Sequence, residues 1–156
     1  MNYWIFKSEP DAYGIDHLAA EKKQTARWDG IRNYQARNNL RDLVKKGDLV
    51  LFYHSSCKEI GMAGTMEVVK AAYSDPAQFD PDSKYYDEKS APDNPRWYCV
   101  DVRLVEKFPR VVPTKILKAD PITSELSIFK QGRLSIAPLS AAQWQAVQQL
   151  RPDGLV

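Results

Sequence analysis

Leu49-Val50-Leu51-Phe52-Tyr53 is a run of five large hydrophobic residues with no polar position among them. In an extended chain, alternate side chains face opposite ways, so Leu49, Leu51 and Tyr53 point to one side and Val50 and Phe52 to the other. A strand that is apolar on both faces has to be covered on both. That places Leu49–His54 in the interior of a layered domain. Lys46-Gly47-Asp48 opens the strand and His54-Ser55-Ser56 closes it.

The rest of the chain supplies partners for this strand. Tyr3 to Lys7 is short, aromatic and β-branched, and Ser8-Glu9-Pro10 stops it, which predicts a strand entering a loop. Ile15 to Lys22 suits a short helix with Leu18 and Ala19 inward. Trp28-Asp29-Gly30 is a turn signal. Asn33 is an N-cap residue for a helix through Leu43, with Ala36, Leu40, Leu43 and Val44 as its apolar stripe. Asn33, Arg37 and Arg41 fall at four-residue steps on another face. Met62 to Ala72 is a second long strand, with Gly61 and Gly64 marking a bulge or a close backbone approach. Trp97 to Phe108 alternates Tyr98, Val100, Val102 and Leu104 with Cys99, Asp101 and Arg103, as a strand with one wet face does. Pro113 to Lys118 suits a helix that starts at proline, and Leu134 to Ala137 a brief strand. Ser140 and Gln143 form a capping box for a last helix through Leu150, with Trp144, Val147 and Leu150 inward. Ser74 to Arg96 is rich in Pro, Asp and Ser. It is long for a structureless connection, which suggests a functional excursion or a short helix around Lys84-Tyr85-Tyr86.

The chain has 156 residues and no internal repeat or linker, so one domain over 1–156 is expected. A chain of this size can bury a core without disulfides or metals. Strands mixed with peripheral helices predict an α+β domain, a curled sheet or small barrel. Cys57 and Cys99 are too few for a disulfide scaffold. The opening MNYWIFKSEP lacks the charged start and apolar run of a signal peptide, and no apolar run approaches a membrane span. A cytoplasmic protein with reduced thiols is the expectation.

Net charge is only +2, but its distribution is uneven. Glu21 to Lys46 holds eight basic residues against three acidic ones, and Asp75 to Pro95 holds six acids against two lysines. Two faces of opposite sign could orient an anionic polymer.

The densest group of functional side chains is Trp28-Asp29-Gly30-Ile31-Arg32-Asn33-Tyr34-Gln35-Ala36-Arg37-Asn38. Amides can hydrogen-bond a base edge, Trp can stack on its face, and Arg can grip phosphate. A helix start with a core Trp and solvated arginines would read the same way. Lys7 and Ser8, at a strand end, could line a pocket mouth or simply form a turn. His54, Ser55 and Cys57 combine a base with nucleophiles, but no acid is placed to orient His54. A polar contribution to a binding pocket suits them better than catalysis. Arg133 adds a phosphate contact or is a surface residue. The two histidines and two cysteines have no metal-ligand spacing, and no glycine-rich phosphate loop occurs, so neither metal nor cofactor is implied.

Five stretches, taken in order, resemble the EVE domain family of the PUA-like superfamily. They are Tyr3–Pro10, Trp28–Asn38, Gly47–Ser55, Gly61–Val69 and Arg133–Ile136. The resemblance implies a PUA-like curled mixed β-barrel of five to six strands with short peripheral helices. It also implies a non-catalytic pocket for a nucleobase in DNA or RNA, such as 5-methylcytosine or an oxidised derivative. Ser8, Trp28, Asn33 and His54 are expected in the pocket, with Arg32, Arg37 and Arg133 near its mouth. Lys7, Tyr34 and Ser55 complete the expected binding set. A eukaryotic member would be nuclear. Two other readings stay open: a sensor of a small molecule, nucleotide or anion, and an RNA-processing enzyme using His54.

Overall fold

The computed structural model describes residues 1–151. Six strands form one mixed sheet: β1 (Tyr3–Ser8), β2 (Thr25–Trp28), β3 (Leu49–His54), β4 (Gly61–Ser74), β5 (Tyr98–Pro113) and β6 (Ile136–Leu139). Their order is β2-β5-β4-β3-β1-β6. β3 runs parallel to β1 and antiparallel to β4. Val50, Leu51, Phe52 and Tyr53 are all buried, as a strand apolar on both faces requires. The parallel pairing of β1 and β3 needs a long crossover, and the chain spends residues 9–48 on it.

The mixed pairing, the six strands and the short helices agree with the expected class, but the ring does not close. Among the described residues, β2 pairs only with β5 and β6 only with β1, so the sheet is curled and open rather than a complete barrel. Strong bending falls on β4 and β5, where the register shifts four times. Gly64 lies at one shift, and a Cβ there would run into the Glu106 carbonyl and Ile15 Cδ1.

Six helices sit around the sheet: α1 (Pro10–Tyr13), α2 (Ile15–Ala20), α3 (Tyr34–Asn38), α4 (Thr114–Ala119), α5 (Ser127–Lys130) and α6 (Ala141–Gln149). α3 is capped by Asn33, whose Oδ1 accepts from the Ala36 N–H at 2.9 Å. It continues as one π turn, Asn39–Leu43, closed by the Val44 N–H on the Asn39 carbonyl. The Ser140–Gln143 capping box forms in both directions. The sequence reading missed β2 and α1, both too short to carry a periodic signal. Residues 84–86 are not helical. The only helical turn in the Ser74–Arg96 segment is Pro76–Phe79.

One continuous hydrophobic cluster joins the sheet to the helices, with Trp4, Ile5, Phe6, Leu18, Leu40 and Met66 fully enclosed. Each such side chain contributes about 1.5–3 kcal/mol. Asp48, just before β3, is one of the buried polar residues. It accepts from Trp4 Nε1 at 2.9 Å and from the N–H groups of Asn2 and Lys45. Among the described residues, no helix is long and apolar enough to cross a membrane.

Candidate functional site

Trp28 ends β2, where its pairing with Val100 fixes the backbone. Its indole packs against Phe6 at 5.5 Å and meets Phe52 and Tyr13 edge-on at 5.1 and 6.2 Å. Only 6% of Trp28 is exposed. It is therefore first a core residue, not the free-standing plate its motif suggests. It nevertheless lines one wall of an open cavity of about 700 Å³. Lys7 and Ser8 reach the cavity from the end of β1, Tyr13 from α1, Arg32 and Asn33 from the turn before α3, and Tyr85 from the long acidic segment.

The turn after Trp28 is shaped by residues far away in sequence. Gly30 has φ +78°, and a Cβ there would lie 2.6 Å from Tyr85 Cζ. Glycine is needed both for the backbone conformation and for the Tyr85 ring. Asp75 is fully buried. Its Oδ2 accepts from the Gly30 N–H and from Arg32 Nη1, each at 3.0 Å, and its Oδ1 accepts from the Ala77 N–H at 2.8 Å. Arg32 also donates from Nη2 to the Tyr85 carbonyl at 2.7 Å and from Nη1 to its neighbour, the Ile31 carbonyl. Its guanidinium lies 5.3 Å from the ring centres of both Tyr85 and Trp97. Arg32 borders the cavity, but its donors are occupied in holding the wall rather than free for phosphate. Gln78, also fully buried, holds the segment behind it. Its Nε2 donates to the Asp75 and Trp97 carbonyls at 2.7 and 2.8 Å, and its Oε1 accepts from the Trp97 N–H.

Ser8, Glu9, Asn33, Lys84 and Ser135 line this cavity with side-chain polar groups that have no hydrogen-bond partner among the described residues. The Asn33 Oδ1 is committed to the helix cap, which leaves its Nδ2 as the remaining polar group of that side chain. Among the described residues it has no hydrogen-bond acceptor. The Ser8 hydroxyl is likewise unengaged, while Lys7 Nζ donates to the Gly132 carbonyl at 2.9 Å. Burial holds the Lys7 ammonium below its ordinary pKa. Tyr13 carries the one buried side-chain polar atom among the described residues that lacks a partner, its hydroxyl. Burial, helped by the nearby Glu21 and Asp29 charges, pushes that hydroxyl up to about 12.

Half of the residues expected to bind lie elsewhere. His54 stands beside Ser8 in the β1–β3 register, but the Tyr13–Ile15 segment comes between them. His54 lines a second cavity of about 770 Å³. Its Nε2 accepts from the Ile15 N–H at 3.1 Å, which requires a neutral ring, and burial lowers its pKa. Ser55 lines neither cavity, and its N–H donates to the Ser8 carbonyl. Tyr34 stacks on Trp97 with ring centres 4.8 Å apart, and Arg37 covers it at 4.8 Å while donating to the Arg96 carbonyl. This stack props the acidic segment from outside the cavity. Arg133 borders a smaller hollow of about 310 Å³ that shares Asn33. Tyr13 and Tyr85 are aromatic lining residues that the sequence did not place in the pocket.

The model of the EVE domain matches residues 2–150. The chain belongs to the EVE domain family. Human thymocyte nuclear protein 1 is 41% identical to it, over 96% of this chain and 73% of that protein. The crystal structure of human THYN1 protein in complex with 5-methylcytosine-containing DNA is 40% identical. It covers 97% of this chain and 98% of that one, with a TM-score of 0.92. A crystal structure from Pseudomonas putida is 46% identical, covers 96% of this chain and 99% of that one, and has a TM-score of 0.90. The YTH domain of Zygosaccharomyces rouxii MRB1, solved with N6-methyladenosine RNA, has a TM-score of 0.54 at 13% identity and shares the fold alone. The fold of this EVE domain is thus shared with these relatives along nearly the whole chain.

Proposed function

We propose that this EVE domain is a non-catalytic nucleic-acid-binding module that holds a modified base, such as 5-methylcytosine or an oxidised derivative, in the cavity beside Trp28. The observation that carries the reading is that cavity itself. It combines aromatic walls from Trp28, Tyr13 and Tyr85 with the unengaged Asn33 Nδ2 and Ser8 hydroxyl. A hollow that pairs aromatic walls with placed polar groups is how proteins hold flat heterocycles. The support from relatives is the 5-methylcytosine-containing DNA bound by human THYN1 protein, similar along nearly the whole chain. Several vertebrate relatives are named as nuclear proteins, and we infer the nucleus for a eukaryotic member.

The energetics fit binding without chemistry. Unstacking a base costs a few kcal/mol, and stacking on an aromatic wall returns about 1–3 kcal/mol. A methyl group buried in the pocket adds about 0.8 kcal/mol, roughly a fourfold preference. His54 favours the non-catalytic reading too, because the nitrogen a general base would use already accepts the Ile15 N–H.

The test is titration of matched oligonucleotides carrying cytosine, 5-methylcytosine or 5-hydroxymethylcytosine at two salt concentrations. A several-fold preference for a modified base that persists at both salts is expected. Equal affinity for all three, or no binding at low salt, would remove the proposal.

A further inference from the structure

Of the four cations lining the cavity beside Trp28, Lys84 alone makes no ion pair or side-chain hydrogen bond among the described residues, and it lies over the Tyr85 ring. Arg27 is paired with Asp29, Arg32 with Asp75, and Lys7 Nζ is held on the Gly132 carbonyl. One unpaired lysine offers one phosphate contact, so a nucleic acid bound there takes its further phosphate contacts from another surface. The second cavity has them. Lys58 comes from the turn after β3, and Arg110 and Lys115 from the end of β5 and the start of α4, two stretches of chain about fifty residues apart that meet at one concavity. Among the described residues none of the three makes an ion pair or a side-chain hydrogen bond. The cavity's fourth cation, Lys107, is paired with Asp16 at 2.5 Å, and Glu59 is its remaining acid.

The two cavities are neighbours. Ser8 lines the first and His54 the second, and these residues are register partners on adjacent strands, about 4.8 Å apart. Tyr13 faces the first and Ile15 the second, so the dividing wall is a single segment of chain. Phosphates along one strand of a duplex recur about every 3.4 Å of helix axis, so a strand crossing this wall reaches the second cavity within a few nucleotides.

We propose that the second cavity is a phosphate subsite for the nucleic acid whose base occupies the first, with Lys58, Arg110 and Lys115 as its contacts. The inference rests on the base-holding reading of the first cavity. It assigns affinity and salt dependence to one cavity and base identity to the other.

The experiment compares the parent with a Lys58→Ala/Arg110→Ala/Lys115→Ala variant and a control, Lys70→Ala/Lys89→Ala/Arg103→Ala. The control loses the same charge at exposed positions that line neither cavity. The ligands are a duplex carrying one 5-methylcytosine, its unmodified twin, and free 5-methyl-2′-deoxycytidine. Each lost phosphate contact lowers the log–log salt slope by about 0.9, so the cavity variant's slope falls by about 2.7. Between 50 and 200 mM salt it then loses about 40-fold less affinity than the parent does. Its modified-to-unmodified ratio and nucleoside affinity stay as in the parent, and the control keeps the parental slope. A parent that prefers the modified duplex while both variants show equal slopes overturns the subsite and leaves the base-holding reading standing. A parent that binds no duplex overturns both.

Discussion

Replacing Asn33 by Asp separates two jobs held by one side chain. Asn33 Oδ1 accepts the Ala36 N–H at 2.9 Å and so caps α3, which leaves Nδ2 as a donor bordering the cavity. Asp caps a helix as well as Asn does, and its charge suits a helix N-terminus. Asn33→Asp therefore keeps the fold, with a stability change of no more than a few tenths of a kcal/mol. Asn33→Ala loses the cap at about 1 kcal/mol. For the ligand the order reverses in kind. The carboxylate offers no donor, so an acceptor on the base, a ring nitrogen or carbonyl oxygen, is left facing it. An unsatisfied partner costs about 1–3 kcal/mol, which is about 5- to 150-fold in affinity. The assay is calorimetric titration with 5-methyl-2′-deoxycytidine, whose neutrality keeps the added charge from acting through phosphates, beside urea unfolding of the three proteins. Asn33→Asp binding the nucleoside within twofold of the parent, at unchanged stability, would refute the donor role.

Two further outcomes follow from the same geometry. Gly30→Ala forces a residue with a Cβ into φ +78° and against the Tyr85 ring, so it destabilises by about 1–3 kcal/mol in urea unfolding and weakens ligand binding as the Tyr85 wall shifts. His54 is held neutral by burial and by its bond from Ile15 N–H, so its folded pKa lies below its unfolded value of about 6.5. Its contribution is complete above that value and is lost as pH falls below it, because the unfolded chain takes up the proton first. His54→Gln keeps an acceptor but does not titrate, so its urea midpoint drops less than the parent's between pH 7.5 and pH 5, and identical drops would exclude His54 as the group involved.

What could be read from the sequence was what local chemistry decides. The doubly apolar β3, the Asn33 cap and the Ser140–Gln143 box each need only neighbours within a few residues, and each is present. The Trp28–Asn38 stretch does border a cavity, together with Lys7 and Ser8. The pocket's far wall could not be read this way. Tyr85 meets Gly30 across 55 positions, through a network in which Asp75 and Gln78 are fully buried. Nothing local marks those two residues as interior, since Asp and Gln in a polar, proline-rich segment read as solvated loop. The one hint was the segment's length. His54 is expected in the same pocket from the family resemblance, but it lines the second cavity while its register partner Ser8 lines the first, a division made by the crossover between the two strands.

The charge pattern carries the same lesson further. A basic stretch and an acidic stretch look in sequence like two opposed faces. In the folded chain they are partly each other's partners: Arg32 pairs with buried Asp75 and donates to the Tyr85 carbonyl, and Arg37 donates to the Arg96 carbonyl next to the acidic stretch. Removing one member of a buried pair leaves the other uncompensated, so this charge serves to fix the base cavity's wall. Charge spent in that way cannot also hold phosphate. A polyanion must then be met by cations that folding has left unpaired: Lys84 at the base cavity and, in the subsite we propose, Lys58, Arg110 and Lys115. A domain of net charge +2 can thereby engage nucleic acid through a few unneutralised cations placed beside the base, with no need of a broadly basic surface.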